Sequence, residues 1–185
     1  MLRGEVVGLR ARLDSDIEIF ETELLNDAET RSRADGRPWR PVAPGSADSP
    51  YRTAAERDAD QHVPFSVVEL ATGDLAGEAL LWGIDLHNRR AHVGMSLRPA
   101  FRGKHLSTDV VRVLCRYAFA LRGLNRVQVD TLADNDAMIG AALRAGFTRE
   151  GMLRQCDWVN GRFADEVILG LLATEWQPAA PSPAR

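Results

Sequence analysis

The segment from residue 91 to residue 132 constrains the fold most, because it changes its hydrophobic period twice. Residues 91–97 alternate in polarity with a period of two, as a strand with one buried face does. After a polar loop, apolar residues recur over 110–121 at the spacing of an amphipathic helix. Gly123 ends that helix, and residues 125–132 form a buried strand. This order predicts an α/β crossover at the centre of a mixed α/β domain.

Shorter elements are predicted on both sides of the crossover. Strands are expected over 5–13, 64–70, 75–85, 152–159 and 163–172, and helices over 14–27, 51–62 and 133–147. Asp134 or Asn135 would cap the last helix, which Gly146 would end. Residues 31–50 contain four prolines and are expected to form a mobile loop. We expect one domain over residues 1–177, followed by a disordered tail over 178–185.

Composition excludes several classes of protein. With 185 residues, 45% of them hydrophobic, the chain can bury a core, and its net charge of −3 argues against coating nucleic acid. No run of about 18 apolar residues predicts a membrane span. Because the N-terminal segment lacks the apolar core of a secretion signal, we expect a cytoplasmic protein. Because Cys115 and Cys156 lie far apart, we expect neither a disulfide framework nor a metal site.

The loop inside the crossover is a candidate anion site. Arg102, Gly103, Lys104 and His105 lead into a helix whose first turn contains Leu106 and Ser107. The unpaired N–H groups and partial positive charge of a helix N-terminus favour a phosphate there. An ordinary solvated connection between a strand and a helix remains the alternative.

This loop and the motifs that follow it resemble the GNAT acetyltransferase superfamily, and more narrowly the branch of the bacterial ribosomal-protein N-terminal acetyltransferases. The resemblance covers about residues 5–176. It implies a mostly antiparallel twisted sheet, flanked by helices, with a strand–loop–helix site for coenzyme A. The motifs that carry it are Arg-Gly-Lys within 98–107, Asn135, the Ala-Gly-Phe that ends at Phe147, and Glu150, Gly151 and Arg154.

The resemblance implies acetyl-CoA as the cosubstrate, without a metal. Backbone amides of Arg102 to Ser107 would bind its pyrophosphate, and Met95, Ser96 and Leu97 would pair with its pantetheine arm. Asn135 would contact acetyl-CoA from the start of the helix over 133–147. His105 replaces the second glycine of the family pattern. Histidine is among the residues that tolerate a positive φ, so the substitution is compatible with the loop. A His105 that only faces solvent remains the alternative.

The candidate base differs from the family pattern, because related enzymes often carry a glutamate where this chain has His92. An imidazole that titrates near neutrality can accept the amine proton directly or through water. Glu78 is the second candidate and Asp85 the third. Many relatives protonate the thiolate with a tyrosine whose position here is Ala142. Water or the product amine would then supply that proton.

The implied function is an N-acetyltransferase that moves an acetyl group to a primary amine by direct attack in a ternary complex. The acceptor would be a peptide or protein N-terminus or a small amine, and neither nucleic acid nor membrane is an expected partner. A homodimer remains open as the assembly state. The rival interpretations are a non-catalytic acyl-CoA sensor and a phosphate- or nucleotide-binding α/β protein that shares only the crossover.

Overall fold

One mixed sheet runs through the protein, as a computed structural model that describes residues 1–53 and 61–177 shows. Its strand order is β1-β2-β3-β4-β5-β6-β8-β7, and its neighbouring strands are antiparallel except for the parallel pair β5 and β6. The strands are β1 Leu2–Arg3, β2 Val7–Arg10, β3 His62–Glu69, β4 Leu75–Asp85, β5 Arg90–Leu97, β6 Arg126–Leu132, β7 Thr148–Val159 and β8 Arg162–Leu172. The mixed, mostly antiparallel sheet predicted from the sequence is confirmed.

Helices cover both faces of this sheet. They are α1 Asp14–Phe20, which continues as a π turn over Glu21–Leu25, α2 Ala28–Ala34, α3 Pro50–Thr53, α4 Leu106–Arg116, which continues as a π turn over Tyr117–Leu121, and α5 Asp136–Arg144. Fully buried Val110, Val111 and Leu114 of α4 pack in the core beneath one face, beside Val127 and Val129 of β6. No helix within residues 1–53 and 61–177 is long and apolar enough to cross a membrane.

The predicted crossover is β5, α4 and β6, and its two strands separate along their length. In the described sheet, their pairing joins Arg90–His92 to Arg126–Gln128. Beyond it, Val93–Leu97 present a strand edge toward β6 that no described strand occupies. The separation opens a wedge at the end of β5 that leads into the loop before α4.

The opposite face of the sheet is polar near this wedge. Glu78 of β4 lies opposite Ser96 of β5, and His92 lies opposite Gln128 of β6. Because side chains of paired residues project to the same face, these residues share one face with Asp130, two positions after Gln128. The face turned away from the core therefore carries the titratable groups.

Three predictions of local structure need correction. The expected loop over 31–50 is wrong at its start, because α2 continues to Ala34 after Asp27 caps it, with the Thr30 amide donating to Asp27 Oδ1 at 3.1 Å. Of the expected helix over 51–62, α3 forms the start, and the prediction is wrong at residue 62, which begins β3. Residues 54–60 lie outside the described residues. The N-terminal strand is shorter than predicted and β1 precedes it. The expected disordered tail over 178–185 also lies outside the described part of the chain.

The segment after α2 is hydrogen-bonded to the π turn that continues α1. The buried Glu21 carboxylate accepts hydrogen bonds from the Gly45 amide at 2.9 Å and from Arg52 Nε at 3.1 Å. The Trp39 indole donates to the Leu25 carbonyl at 2.9 Å. These contacts hold the proline-rich segment over the polar face. We propose that residues 1–177 act as one domain, since the eight strands in the described part of the chain belong to one sheet.

Candidate active site

A cavity of about 850 Å³ lies where β5 and β6 separate. Its walls come from β5, the end of β6, the loop before α4, the start of α5, α2, the end of β7, and Glu166 in the middle of β8. The sequence-predicted residues that line it are Glu78, Met95, Ser96, Leu97, Arg102, Gly103, Ser107 and Asn135. One cavity thus brings together residues from distant parts of the chain, with the cofactor candidates at one end and a candidate base along its wall.

The loop before α4 contains two residues with a positive φ, the conformation that the sequence allowed for His105 but did not establish. Gly103 has φ 74° and His105 has φ 60°, so both lie in the left-handed region. His105 is the residue immediately before α4, and its side chain forms no cap hydrogen bond within the described chain. The histidine occupies a conformation that usually favours glycine, and it leaves the helix N-terminus and its amides open to a ligand.

The loop side chains divide into two groups. Arg102, Gly103 and Ser107 line the cavity, whereas Lys104, His105 and Leu106 are not among the described residues that do. Lys104 Nζ lies over the Phe101 ring, 4.4 Å from its centroid, and Leu106 is buried in the core. Lys104, His105 and Leu106 can therefore serve a ligand through their backbones.

His105 gives a direct test of the loop geometry. Replacing His105 with glycine is expected to raise the free energy of unfolding by up to about 1 kcal/mol, because glycine adopts a positive φ without steric cost. His105→Val is expected to lower it by about 1 kcal/mol or more, since β-branching resists that conformation. Urea denaturation measures both, with Lys104→Gly as the control at the exposed neighbour. A valine variant as stable as the glycine variant would contradict the left-handed assignment.

Asn135 lies at the junction of β6 and α5. Its Oδ1 accepts the Met138 amide at 3.2 Å, and its Nδ2 donates to Thr131 Oγ1 at 2.9 Å. The prediction that Asp134 or Asn135 caps this helix is resolved in favour of Asn135. Its side chain lines the cavity while it fixes the start of α5.

His92 lies against two residues of the cavity wall. Its Nδ1 forms a hydrogen bond with Asp130 Oδ2, and its ring stacks on Trp82 with centroids 4.3 Å apart. Among the described residues Trp82 and Asp130 line the cavity, and His92 lies between them just outside its wall. Burial raises the pKa of the Asp130 carboxyl, but hydrogen bonds from His92 and Gln128 outweigh burial and hold it below its usual value.

Glu78 is buried and both of its carboxylate oxygens have partners. Oε2 accepts from Arg12 Nη2 at 2.7 Å, and Oε1 accepts from the Tyr51 hydroxyl at 2.9 Å. Burial and the nearby Glu78 charge raise the pKa of Tyr51, which keeps this phenol protonated. To accept a proton from an amine, Glu78 would have to release one of these partners.

The remaining sequence candidates lie away from the cavity. Asp85 is the last residue of β4 and accepts a hydrogen bond from the Asn88 amide at 2.9 Å. Ala142 is fully buried in the core beneath α5, so that position offers no proton donor.

Asp130 and Tyr51 were not predicted from the sequence. Asp130 had a usable signal, because Gln128 and Asp130 alternate with buried Val127 and Val129. That alternation puts Asp130 on the face opposite the core, in a strand parallel to the one that carries His92. Tyr51 lies 27 positions before Glu78 in the chain, and no local pattern indicates their contact.

Charge is unevenly distributed around the cavity. On the α2 side, Arg31 and Arg37 pair with Asp35, and Arg33 pairs with Asp134. The β7 and β8 wall presents the carboxyl groups of Asp157 and Glu166. Burial, with added repulsion from Asp157 and Asp130, raises the pKa of Glu166 above its usual value. This wall offers hydrogen-bond acceptors to a cationic group.

Comparison with known proteins gives concordant matches. The sequence model of the Acetyltransferase (GNAT) domain matches residues 7–148. A protein of Bacillus subtilis (strain 168), YdaF, provisionally named a ribosomal N-acetyltransferase, is 34% identical over 137 residues, which span 72% of this chain and 75% of that protein.

Solved structures match almost the whole chain. A crystal structure of spermidine N-acetyltransferase from Vibrio cholerae, in complex with CoA and spermine, superposes with a TM-score of 0.80 at 20% identity, covering 91% of this chain and 96% of that one. The crystal structure of a probable acetyltransferase superposes with a TM-score of 0.81 at 26% identity, covering 93% and 96%. The fold of this chain is therefore shared with these proteins along nearly its full length.

Proposed function

The chain belongs to the GNAT acetyltransferase family, as an acetyl-CoA-dependent N-acetyltransferase of the ribosomal-protein acetyltransferase branch, and we propose that its acceptor amine attacks acetyl-CoA directly in a ternary complex. The observation that carries this proposal is the wedge between β5 and β6, whose open end meets the loop before α4. A thioester in the wedge would be reached by an amine from the polar face.

The cofactor assignment rests on two sets of backbone hydrogen-bonding groups, one on the edge of β5 and one in the loop that follows it. Met95–Leu97 present a strand edge that can hydrogen-bond the amides of a pantetheine arm. Amides of the loop from Arg102 to Ser107, at the N-terminus of α4, can hold a pyrophosphate with help from the Arg102 guanidinium. Asn135 would contact the cosubstrate from the start of α5.

For the reaction itself, we assign His92 as the base and keep Glu78 as the alternative. A proton leaves the ammonium form of the acceptor and reaches His92 Nε2 through a water molecule, since His92 lies just outside the cavity wall. The amine lone pair attacks the thioester carbonyl, and a C–N bond forms as the carbonyl π bond opens to an oxyanion. The C–S bond breaks when this tetrahedral intermediate collapses.

A second proton, on the attacking nitrogen, protonates the thiolate that leaves. The tetrahedral intermediate still carries an ammonium proton, which passes to the departing thiolate, while His92 later releases its proton to solvent. A thiol has a pKa of about 8.5, so its thiolate leaves without a strong acid. The reaction therefore balances without a residue at Ala142.

The acceptor is a primary amine, either a peptide N-terminus or a small amine. The Bacillus relative is named for a ribosomal substrate, and the Vibrio structure contains spermine. The carboxyl groups of Asp157 and Glu166 support an acceptor that carries a positive charge near the reacting amine. A free α-amine, with a pKa of about 8, needs less help from a base than a lysine amine, at about 10.4.

Binding of the cosubstrate is tested by thermal shift. Acetyl-CoA and CoA are expected to raise the melting temperature, because a ligand that binds only the folded state stabilises it, whereas ATP and NAD are not. Equal stabilisation by ATP or NAD would favour the phosphate-binding interpretation. A lack of stabilisation by acetyl-CoA and CoA would contradict the proposed cofactor site.

Turnover is tested by free-thiol release across a panel of acceptors. The panel contains peptides with different N-terminal residues, diamines and polyamines, and simple alkylamines, each against an N-acetylated control. We expect release above the rate of hydrolysis with at least one primary amine and none with its acetylated form. Binding of acetyl-CoA without release in any reaction would favour the non-catalytic sensor.

A further inference from the structure

The His92 ring is held from two sides. Its Nδ1 meets Asp130 Oδ2 on β6, and its face lies against Trp82 of β4 with 26° between the ring planes. The stacking limits rotation of the imidazole about its Cβ–Cγ bond, and the hydrogen bond fixes which edge of the ring faces β6. Neither contact engages Nε2, which lies on the ring edge next to Gly83 of β4.

Asp130 is itself held by a row of polar side chains. Its Oδ1 accepts from Gln128 Nε2 at 2.6 Å, and Gln128 Oε1 accepts from Arg126 Nη2 at 3.0 Å. Arg126 also pairs with Glu150 of β7. The carboxylate position is therefore set by groups other than His92. Such support is typical of a residue that orients a functional side chain.

An ionised carboxylate only accepts hydrogen bonds, so Nδ1 must carry the proton in the contact with Asp130. The lone pair of the neutral ring then lies on Nε2. The charged groups that face His92 are Asp130 on β6, Glu166 on β8 and, through Gln128, Arg126. The nearest of them is negative and stabilises the imidazolium that forms when Nε2 takes a proton.

We infer that Asp130 is a positioning residue, which holds His92 in the Nδ1–H tautomer and stabilises its protonated form during acetyl transfer. This inference rests on the proposed role of His92 as the base. Asp130 lines the cavity but acts through the imidazole. The proton it helps to place comes from the acceptor amine and returns to solvent after the thiol has left.

The inference is tested with Asp130→Asn, which keeps the shape of the side chain. The asparagine amide can donate to Nδ1, so it favours the opposite tautomer, with the proton on Nε2. We expect kcat to fall about 10²-fold with KM for acetyl-CoA unchanged. Asp130→Glu should restore part of kcat, and Asp74→Asn, in the exposed turn before β4, is the matched control.

A second measurement reports the tautomer without turnover. Nitrogen-15 NMR of the histidine rings, with His92 assigned by His92→Ala, should show Nδ1–H in the wild type and Nε2–H in Asp130→Asn. The Nε2–H form in the wild type, or an unchanged kcat in Asp130→Asn, would overturn the inference alone. A wild-type protein that releases no thiol with any amine would overturn the proposed function together with this catalytic role.

Discussion

Replacement of His92 by alanine is expected to lower kcat by about 10²- to 10³-fold, with little change in KM for acetyl-CoA, because a positioned base contributes that much to proton transfer. The effect should be larger for an acceptor with a lysine-type amine than for an α-amine, since the more basic amine is protonated at neutral pH. Initial rates of thiol release from pH 6 to pH 9 measure both quantities.

The control for this variant is His87→Ala, in the exposed turn between β4 and β5. It removes the same side chain away from the cavity, and its rates should match those of the wild type. If His92→Ala keeps the wild-type pH–rate profile, His92 is not the base. Glu78 would then be the remaining candidate on the cavity wall.

Replacement of Asp16 by asparagine is expected to lower the free energy of unfolding by about 2–3 kcal/mol at neutral pH, because it breaks a buried charged network. Asp16 is 4% exposed and accepts from Arg10 Nη1 at 2.6 Å and from Ser66 Oγ at 2.6 Å. The Leu13 amide donates to the same carboxylate at 2.8 Å. This network joins α1 to β2 and β3, beside the Arg12 that holds Glu78.

The same carboxylate predicts how stability depends on pH. Burial raises the pKa of Asp16, but hydrogen bonds from Arg10, Ser66 and the Leu13 amide more than offset burial and lower it from 3.8 to about 2. Since the folded-state value is the lower one, the ionised group stabilises the fold above pH 4. That stabilisation, about 2 kcal/mol, is lost as the pH falls from about 4 to about 2.

Urea denaturation at several pH values between 7 and 2.5 measures this effect. The Asp16→Asn protein should lose less stability than the wild type over that acid range, because the titrating group has been removed. Asp14→Asn, at an exposed position of the same helical turn, should stay within about 0.5 kcal/mol of the wild type. Parallel acid profiles for the wild type and Asp16→Asn would contradict the assignment.

The parts of the fold that were predictable from the sequence are those with a local periodic signal. Alternation over residues 91–97 identified β5, the helical stripe after it identified α4, and residues 125–132 were identified as a buried strand, which is β6. The resemblance to the GNAT family then pointed to Met95 and the loop at Arg102 as cofactor candidates. Of these, Met95, Arg102, Gly103 and Ser107 line the cavity. Short-range patterns suffice there because the crossover is continuous in the chain.

The parts that were not predictable depend on contacts between distant segments. Glu78 of β4 accepts hydrogen bonds from Arg12, which precedes the proline-rich segment in the sequence, and from Tyr51, which follows it. The partner of His92 depends on the register between β5 and β6, which places Asp130 two positions beyond the residue opposite His92. Periodicity shows which face a side chain occupies, but it does not show which side chain lies beside it.

The central claim is that this chain transfers an acetyl group from acetyl-CoA directly to a primary amine. Mass spectrometry of reactions with isotopically labelled acetyl-CoA and the best acceptor of the panel tests it most directly, with the intact protein followed in the same samples. The account predicts one labelled acetyl group on the acceptor for each CoA released, and an unmodified protein when the acceptor is omitted. Labelled acetyl groups that accumulate on the protein, or appear only as free acetate, would contradict it.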